Sequence, residues 1–466
     1  MHNPTIVAAL LGLPTGLWAM QAEPAARVSA AAPVIALTHV RVIDGTGAAP
    51  AEDQTILIER SKISAVGRAG AVRVPAGATV MNLPGHTVIP GFVGLHDHTF
   101  YMTSNRATQL NFSAPRLYLA SGVTTIRTTG SMSPYQELNL KRFVDEHQVP
   151  GPRMYITGPY LNGAGGGGMQ LVRDSADARR VVAYWAGEGA TWIKAYAQIS
   201  RAALAAAIDE AHKRGLKVTG HLCSVTFREA VALGIDNLEH GLLTDTDYDR
   251  DKKPDECPAN SMAQLAHLDL ASEPVQATFR DMITHHVAMT STLAVFEVFV
   301  PNRPPLEQRM LDAMAPEVRA EYLKSREHLT DSGAFAVTPD LFKKAEQFEY
   351  AFVQAGGLLA AGVDPTGNGG ALPGFGDQRN FELLIEAGFT PPQAIEIMTA
   401  NGAKVLGAFD QFGSITPGKL ADLVVIEGDP VSHPSDIRNV RTVFKEGTSY
   451  DPTKLLAAVQ GLVGIR

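Results

Sequence analysis

The sequence predicts an α/β fold, namely a (β/α)8 TIM barrel with a small β-sandwich domain formed from both chain ends. Three observations support this fold class. The chain has 466 residues, a length that suits a large barrel with a smaller attached domain. Apolar strand-like runs alternate with helical patterns across residues 88–406. Short alternating β runs flank that region on both sides, so residues 33–87 and 407–450 are assigned to the β domain.

Eight apolar, strand-like stretches are expected to build the barrel. They are Val88–His96, Val123–Thr129, Arg153–Gly158, Trp192–Ala197, Lys217–Leu222, Asn237–His240, Ala288–Leu293 and Leu358–Asp364. Helices fill the intervals: Ser200 precedes a helical pattern over Arg201–Arg214, and Thr390-Pro391 opens a helix that runs towards Leu406. Active sites of such barrels lie at the C-terminal ends of the strands, so residues at those ends are the first functional candidates.

The β domain is expected to draw its strands from both ends of the chain. The candidate strands are Val34–Arg41, Gln54–Glu59, Lys62–Val66, Thr79–Asn82, Ser414–Pro417, Asp422–Glu427 and Val440–Lys445. Each run is short, alternates in polarity and is bounded by turn residues, which is typical of antiparallel strands.

Charge and the N-terminal segment limit the partners and the location. A net charge of −8 argues against nucleic acid or an anionic membrane surface as a partner. Residues 1–22 read as an export signal that is too short to span a bilayer, with cleavage after Ala22. The stretch before the apolar run lacks Lys and Arg, so a disordered leader is the alternative. We expect a periplasmic or secreted protein without a membrane span.

The two cysteines, Cys223 and Cys257, are too few to indicate a disulfide-rich fold. They could pair in an oxidising compartment, because both would lie on loops at the same end of the barrel. Two separate thiols are the simpler expectation.

Six polar residues stand at or near the ends of the predicted barrel strands. They are His96, His98, Lys194, His221, His240 and Asp364. Residues two apart in a strand project from one face, so the first two can aim their imidazoles at one point. Each residue alone has an ordinary structural explanation, such as a core histidine or a helix cap. All six at one end of a single barrel predict a metal-dependent site.

These motifs resemble the amidohydrolase superfamily. The resemblance rests on the run from Gly91 to His98, on the later ligand positions in the same order, and on Ile415–Val425. It implies a binuclear metal hydrolase that usually uses zinc. His96, His98 and Asp364 would hold one ion, His221 and His240 the other, and Lys194 would bridge them as a carbamate. Some relatives hold one metal with the same set.

The chemistry follows from the charges of such a site. Two divalent ions lower the pKa of water and polarise a carbonyl group, and Asp364 would accept the proton and deliver it to the leaving group. Hydrolysis of an amide or cyclic amide in a small molecule fits best. The motifs are most similar to those of imidazolonepropionase-like enzymes and of prolidases acting on Xaa-Pro dipeptides. An N-acyl amino acid or Xaa-Pro substrate is therefore expected.

Several alternatives stay open at this point. The same site could serve a lactonase, an esterase or an aromatic-amide hydrolase, and a scaffold without activity is a third reading that the complete ligand set disfavours. Tyr196 could bind substrate or pack behind its strand. The segment Ala294–Gln354 could form part of a lid. Relatives often self-associate, so a homo-oligomer is a further open expectation.

Two other motifs are set aside. The acidic run from Asp245 to Asp251 with Glu256 is spaced like a calcium loop, but Arg250 stands where the turn glycine belongs. A solvated acidic loop is expected there. His285-His286 precedes a strand at the opposite end of the barrel and is left out of the metal set.

Overall fold

Strands from three parts of the chain form the framework that carries the site. The computed structural model describes residues 34–102, 107–166, 170–259, 261–332, 337–366 and 370–465. The predicted export signal, residues 1–22, lies outside the described residues.

The strands of the described residues are β1 (Val34–Val42), β2 (Ala51–Glu59), β3 (Lys62–Arg68), β4 (Thr79–Asn82), β5 (His86–Pro90), β6 (Phe92–Asp97), β7 (Phe100–Met102), β8 (Ala107–Gln109), β9 (Val123–Thr128), β10 (Arg153–Tyr155), β11 (Tyr160–Asn162), β12 (Gln170–Leu171), β13 (Trp192–Ala195), β14 (Lys217–Gly220), β15 (Asn237–Glu239), β16 (Ala288–Ser291), β17 (Leu359–Ala361), β18 (Leu423–Glu427), β19 (Val440–Lys445) and β20 (Thr448–Tyr450).

The α-helices of the described residues are α1 (Ser113–Ala120), α2 (Pro134–Asp145), α3 (Ser175–Gly187), α4 (Arg201–Lys213), α5 (Phe227–Ala232), α6 (Glu273–Thr284), α7 (Leu293–Glu297), α8 (Gln308–Ala313), α9 (Pro316–Ser332), α10 (Pro339–Gln354), α11 (Phe375–Ala387), α12 (Pro391–Glu396), α13 (Gly402–Leu406) and α14 (Pro452–Val459).

Parallel strands form the centre of the molecule. One sheet has the order β10-β9-β6, and a seven-stranded sheet has the order β12-β11-β13-β14-β15-β16-β17. Backbone hydrogen bonds also join strands across the two sheets: the amides of Val363 and Asp364 donate to the His96 carbonyl at 3.1 and 2.7 Å, and Thr191 donates to Ile156 at 2.8 Å. The result is a parallel α/β architecture in which the last central strand lies beside the first.

A separate eight-stranded sheet combines both ends of the chain. Its order is β20-β19-β18-β5-β1-β2-β3, with β4 paired to β1. Strand β18 pairs antiparallel with β5, and Val425 stands opposite Val88. Strands from before and after the central region therefore share one sheet, and the second layer of the expected sandwich stays a prediction.

Two predicted strands are wrong in detail. The stretch Val88–His96 is not one strand, because Gly91 divides it into β5 of the end sheet and β6 of the central sheet. A Cβ at Gly91 would lie 2.1 Å from Thr124 Oγ1, so only glycine fits where the chain passes between sheets. The stretch Ser414–Pro417 is a loop, and the chain turns immediately after it at Gly418, which has φ +92°.

The predicted helices form largely as expected. Ser200 caps α4, since its hydroxyl accepts a hydrogen bond from the amide of Ala203 at 3.2 Å, and the helix buries Leu204 and Ile208. The helix opened by Pro391 reaches Leu406 through a π-helical turn over Ile397–Asn401. Helices α7 to α10 lie in the segment suggested as a lid. Among the described residues, no helix is both long and apolar enough to cross a membrane.

Candidate metal centre

Histidines from different strands meet the carboxylate of Asp364. Nε2 of His96 lies 3.5 Å and Nε2 of His240 lies 3.9 Å from Asp364 Oδ2, while Nε2 of His98 lies 3.1 Å from Oδ1. The donor atoms of His96, His240 and Asp364 all lie within 4.8 Å of one another, close enough to hold a metal ion. These residues stand at or just beyond the C-terminal ends of parallel strands, where the sequence predicts the site.

The remaining two predicted ligands lie beside this group. The ring of His221 lies 4.5 Å from the ring of His240, measured between centroids. Lys194 is fully buried, and its Nζ has no hydrogen-bond partner in the described part of the chain. In the compact group, His96 and Asp364 were expected to hold one ion and His240 the other. The division of six ligands between two ions therefore stays a prediction.

Three of the histidines have their Nδ1 atoms held by other residues. Nδ1 of His96 lies 2.8 Å from the Glu239 carboxylate. Nδ1 of His98 donates to the carbonyl of Gly130 at 3.0 Å. Nδ1 of His240 lies 2.7 Å from the hydroxyl of Thr292. Each ring is thereby turned so that Nε2 faces the common centre, which is the arrangement typical of metal-ligating histidines.

A buried ion pair that sequence reasoning missed supports His96. Glu239 accepts a hydrogen bond from Arg127 Nη2 at 2.6 Å and another from the hydroxyl of Thr219. Arg127 is fully buried, donates to the carbonyl of Leu95 at 2.8 Å and lies 4.4 Å from the Trp192 ring. The signal was available, because charged residues inside apolar strands are costly to bury unless they are paired.

Burial sets the protonation of the nitrogen donors. Burial lowers the pKa of His96 and of His240 well below the ordinary value and lowers that of His221 to about 4. It also lowers the pKa of Lys194 to about 8. Neutral imidazoles and a readily deprotonated amine are the forms that bind metal ions.

Asp364 is held as a carboxylate. Burial alone would raise its pKa, but the neighbouring His96, His98 and Lys194 outweigh burial and hold the pKa below its usual value. The imidazole and carboxylate set therefore fits a divalent ion of the zinc type.

The backbone at the site has unusual conformations. His240 has φ +68° and Asp364 has φ +50°, both in the left-handed region that side chains other than glycine rarely adopt. A Cβ at Gly362 would lie 2.2 Å from the backbone nitrogen of His96, so glycine allows the last central strand to approach the first. Such conformations cost about 1–3 kcal/mol each and are found most often at functional sites.

Aromatic rings lie against the histidines. The ring of Tyr196 lies 4.7 Å from that of His221 and 5.1 Å from that of Tyr160. Tyr196 therefore lies on the same side of the sheet as His221, just beyond the end of β13, and contact with substrate stays a prediction. Phe296, which the sequence did not single out, lies 5.4 Å from the His240 ring.

The expectation of two separate thiols is wrong. Cys223 and Cys257 form a disulfide, with Cα atoms 5.0 Å apart. The cysteines are 34 residues apart in sequence, but Cys223 follows β14 and Cys257 lies in the long loop after β15 at the same end of the parallel sheet. The hydroxyl of Thr246 also donates to the Cys223 carbonyl at 2.9 Å, so two contacts fix the segment just after His221.

The two motifs set aside do not join the metal group. His285 and His286 are exposed at the end of α6. The acidic loop differs from the expectation of full solvation, because Asp245 is buried and one of its carboxylate oxygens accepts from the Asp247 amide at 2.9 Å. The later residues Arg250 and Asp251 are exposed as expected.

Residues 87–292 and 353–449 match the model of the amidohydrolase family. The chain belongs to this family, as its motifs predict. Imidazolonepropionase from Deinococcus deserti is 34% identical over 106 residues, covering 21% of this chain and 24% of that protein. The chain therefore matches about a quarter of the length of this curated relative.

Several solved structures share the fold. A Xaa-Pro dipeptidase with bound methionine is 20% identical, with a TM-score of 0.67, covering 90% of this chain and 100% of the other. Ochratoxinase from A. niger is 18% identical, with a TM-score of 0.64 and coverage of 91% and 96%. Phenylurea hydrolase B is 20% identical, with a TM-score of 0.67 and coverage of 93% and 100%. The shared fold is a TIM-barrel-like α/β fold.

Proposed function

We propose that this chain is a metal-dependent hydrolase that cleaves an amide or cyclic amide bond in a small molecule. The observation that carries the proposal is the set of three histidines whose Nδ1 atoms are engaged and whose Nε2 atoms face the Asp364 carboxylate. That arrangement is expected of ligands prepared for a metal ion.

The proposed ligands are His96, His98, Lys194, His221, His240 and Asp364, and the proposed metals are two zinc ions. When bound, the ions supply Lewis-acid activation of water and of the scissile carbonyl. Lys194 would act as a carbamate: its neutral amine adds to carbon dioxide, an N–C bond forms and the nitrogen loses a proton. The buried Nζ without a partner and the pKa of about 8 support this role.

Asp364 is the proposed proton carrier. Its side chain is 13% exposed, and both of its oxygens lie near histidines. The carboxylate would accept a proton from the attacking water and deliver it to the leaving nitrogen. Asp364 is held as a carboxylate, which is the form that can accept a proton.

The substrate proposal draws on the relatives. Their names include an imidazolonepropionase, a dipeptidase, an ochratoxinase and a phenylurea hydrolase. We infer that this chain acts on an amide comparable in size to the compounds in those names, with N-acyl amino acids and Xaa-Pro dipeptides among the candidates.

Finer features of the fold and location belong to the same proposal. Closure of the central strands into one (β/α)8 barrel is supported by the hydrogen bonds from Val363 and Asp364 to His96. The end sheet would be one layer of the β-sandwich domain. Export to the periplasm or medium is supported by the Cys223–Cys257 disulfide, because disulfides persist in oxidising compartments.

Metal content per chain, measured after purification with added bicarbonate, tests the proposal. About two zinc ions per chain are expected, with a sharp fall in Lys194→Ala. One ion that is unaffected by Lys194→Ala would remove the carbamate bridge. A panel of N-acyl amino acids, Xaa-Pro dipeptides, anilides and lactones tests the reaction, and turnover of lactones alone would overturn the amide assignment.

A further inference from the structure

A tyrosine hydroxyl lies beside one of the proposed ligands. Tyr160 opens β11 and is 5% exposed, and its Oη lies 3.4 Å from Nε2 of His98. The same nitrogen lies 3.1 Å from Oδ1 of Asp364, the proposed proton carrier. The phenol therefore stands next to two of the groups that the proposed reaction uses, although the proposed function gives it no task.

Strand pairing directs the Tyr160 side chain toward the ligand set. Tyr160 pairs in parallel register with Lys194 of the neighbouring strand β13. Residues that pair in register project from the same face of a sheet, so Tyr160 and Lys194 share one face. The ring of Tyr196, just beyond β13, lies 5.1 Å from the Tyr160 ring in an edge-to-face arrangement. Both the strand and the neighbouring ring thus fix the place of the phenol.

Gly130 makes room for this ring and also orients His98. A Cβ at Gly130 would lie 2.4 Å from Cε1 of Tyr160, far closer than van der Waals contact allows. Gly130 has φ +99°, and its amide donates to the hydroxyl of Thr157 at 2.7 Å. Its carbonyl accepts the hydrogen bond from Nδ1 of His98 at 3.0 Å. One glycine therefore sets the positions of both the imidazole and the phenol.

The hydrogen bonds of His98 determine what the phenol can do. A carbonyl oxygen only accepts, so Nδ1 of His98 carries the hydrogen, and Nε2 of the neutral ring offers its single lone pair. The Tyr160 hydroxyl donates to that lone pair in this structure. A nitrogen that ligates an ion uses the same lone pair. Beside a ligating His98, the Tyr160 hydroxyl loses this acceptor and keeps a hydrogen that it can donate to an oxygen of the substrate.

Resting on the proposed function, we propose that Tyr160 is a catalytic residue whose hydroxyl donates a hydrogen bond to the carbonyl oxygen of the scissile amide. That oxygen becomes negative when water adds to the carbonyl carbon and the C=O bond becomes a C–O bond. The hydrogen bond therefore strengthens toward the transition state. Tyr160 keeps its own proton, while the proton of the attacking water passes through Asp364 to the leaving nitrogen.

Tyr160→Phe tests this role because it removes the hydroxyl and keeps the ring. The substrate is the amide that the unsubstituted enzyme hydrolyses fastest in the panel. We expect kcat of the zinc-loaded variant to fall about 10²-fold, with a much smaller change in KM. Tyr184→Phe, at an exposed ring on α3, is the control and should change neither value. Unchanged kcat in folded, zinc-loaded Tyr160→Phe would overturn the proposal.

Zinc affinity separates this role from that of a residue that only holds His98. The phenol competes with the ion for the Nε2 lone pair, so Tyr160→Phe should bind zinc at least as tightly as the unsubstituted protein does. Chelator competition measures the two affinities. A fall in zinc affinity that matches the fall in kcat would overturn the proposal, because Tyr160 would then act by positioning a ligand.

A tetrahedral analogue gives a readout that needs no turnover. The probe is the phosphonamidate analogue of the same amide, in which a phosphoryl oxygen takes the place of the developing negative oxygen. Its Kd, measured by titration calorimetry, should rise in Tyr160→Phe by about the factor by which kcat falls. Equal Kd values for the variant and the unsubstituted enzyme would contradict the assigned hydrogen bond.

The same measurements separate the two proposals. Rapid hydrolysis of an amide by both the unsubstituted enzyme and Tyr160→Phe supports the proposed function and overturns the role of Tyr160. Failure of the zinc-loaded unsubstituted enzyme to hydrolyse any amide overturns both.

Discussion

Each of three histidines at the candidate metal centre is oriented by a residue from a different part of the chain. Glu239 holds His96, the carbonyl of Gly130 holds His98, and Thr292 holds His240. Such partners fix the tautomer and the orientation of each ring. Residues other than the proposed ligands therefore prepare the rings for metal binding. The strongest of these partners is the ionic one.

Glu239→Gln should weaken zinc binding about 10–100-fold, because the amide cannot supply the negative charge that increases the basicity of His96. The measurement is chelator competition on protein shown to be folded by circular dichroism. Thr219→Val removes a neutral donor to the same carboxylate and should weaken binding much less. Unchanged zinc affinity in folded Glu239→Gln would contradict the orienting role.

Asp364→Asn should keep the fold and much of the metal but reduce kcat about 10²–10⁴-fold, because the amide cannot accept a proton. Turnover and zinc content are measured on the same preparation. Asp340→Asn, in the exposed first turn of α10, is the matched control. Near-normal turnover of Asp364→Asn would exclude it as the proton carrier.

At this scale the sequence predicts which polar residues stand at the strand ends better than it predicts the residues around them. The six candidates could be found because each stands at the end of an apolar strand, a position that the chain itself shows. Glu239 is the last residue of β15 and Arg127 lies within β9, and their pairing depends on which strands are neighbours. The sequence places Tyr196 at the end of its strand. The face on which its ring packs depends on the positions of His221 and Tyr160, which the sequence does not show.

At the scale of strands and helices, the sequence predicts that an element is present better than it predicts the residues at which the element begins and ends. The helix over α4 could be predicted from its cap and its apolar spacing, and it ends within one residue of the expected position. The division at Gly91 could not, because an uninterrupted apolar run is compatible with either one strand or two. Only the close approach of Thr124 shows why the chain changes sheets there.

Helix α10 carries a buried acid outside the metal group. Burial raises the pKa of Glu349 from its usual 4.5 to about 8, and one of its buried oxygens has no hydrogen-bond partner among the described residues. The folded state therefore keeps a proton that the unfolded state loses above about pH 4.5. The contribution of this group to stability is present below that pH and is lost as the pH rises through about 8.

Glu349→Gln should remove this pH dependence. Between pH 5 and pH 9 the free energy of unfolding of the variant should gain about 4 kcal/mol relative to the unsubstituted protein. Denaturant unfolding at both pH values gives the difference, and Glu321→Gln on the exposed side of α9 is the control. An identical pH dependence for Glu349→Gln and the unsubstituted protein would show that Glu349 is ionised in the fold.

The disulfide joins the loops that follow β14 and β15. Cys223→Ser with Cys257→Ser should lower the free energy of unfolding by about 3 kcal/mol, because the cross-link limits the unfolded chain. Denaturant midpoints of the double variant and of the reduced parent protein should agree. A midpoint equal to that of the oxidised protein would mean that the pair adds no stability.

At the scale of the whole molecule, Arg153 connects the central sheet to the end sheet. It stands in β10 and donates to Asp422 at 2.9 Å and to Glu446 at 2.6 Å, next to β18 and β19. The side chain of Arg153 is 15% exposed and that of Asp422 is 2% exposed, so water screens this pair weakly. The two parts of the fold are thus joined by charge as well as by apolar packing.

Arg153→Met should lower the free energy of unfolding by about 3 kcal/mol, because it leaves the buried Asp422 carboxylate without its cationic partner. Lys141→Met, which removes the exposed pair with Asp145, should change stability by less than about 1 kcal/mol. Denaturant unfolding measures both variants. Equal effects of the two substitutions would contradict the structural role of Arg153.

The end sheet cannot be completed until the last part of the chain has been synthesised. Thr87 donates to the carbonyl of Gly428, which is 341 residues later in the chain. At a synthesis rate of about 5–20 residues per second, β5 emerges roughly 20–70 s before its partner β18 exists. During that interval an unpaired strand edge is exposed, and such edges pair readily with other chains. Recombinant yield should therefore depend on how well the emerging chain is shielded, and slower growth at low temperature with added chaperone is the natural condition for producing this protein.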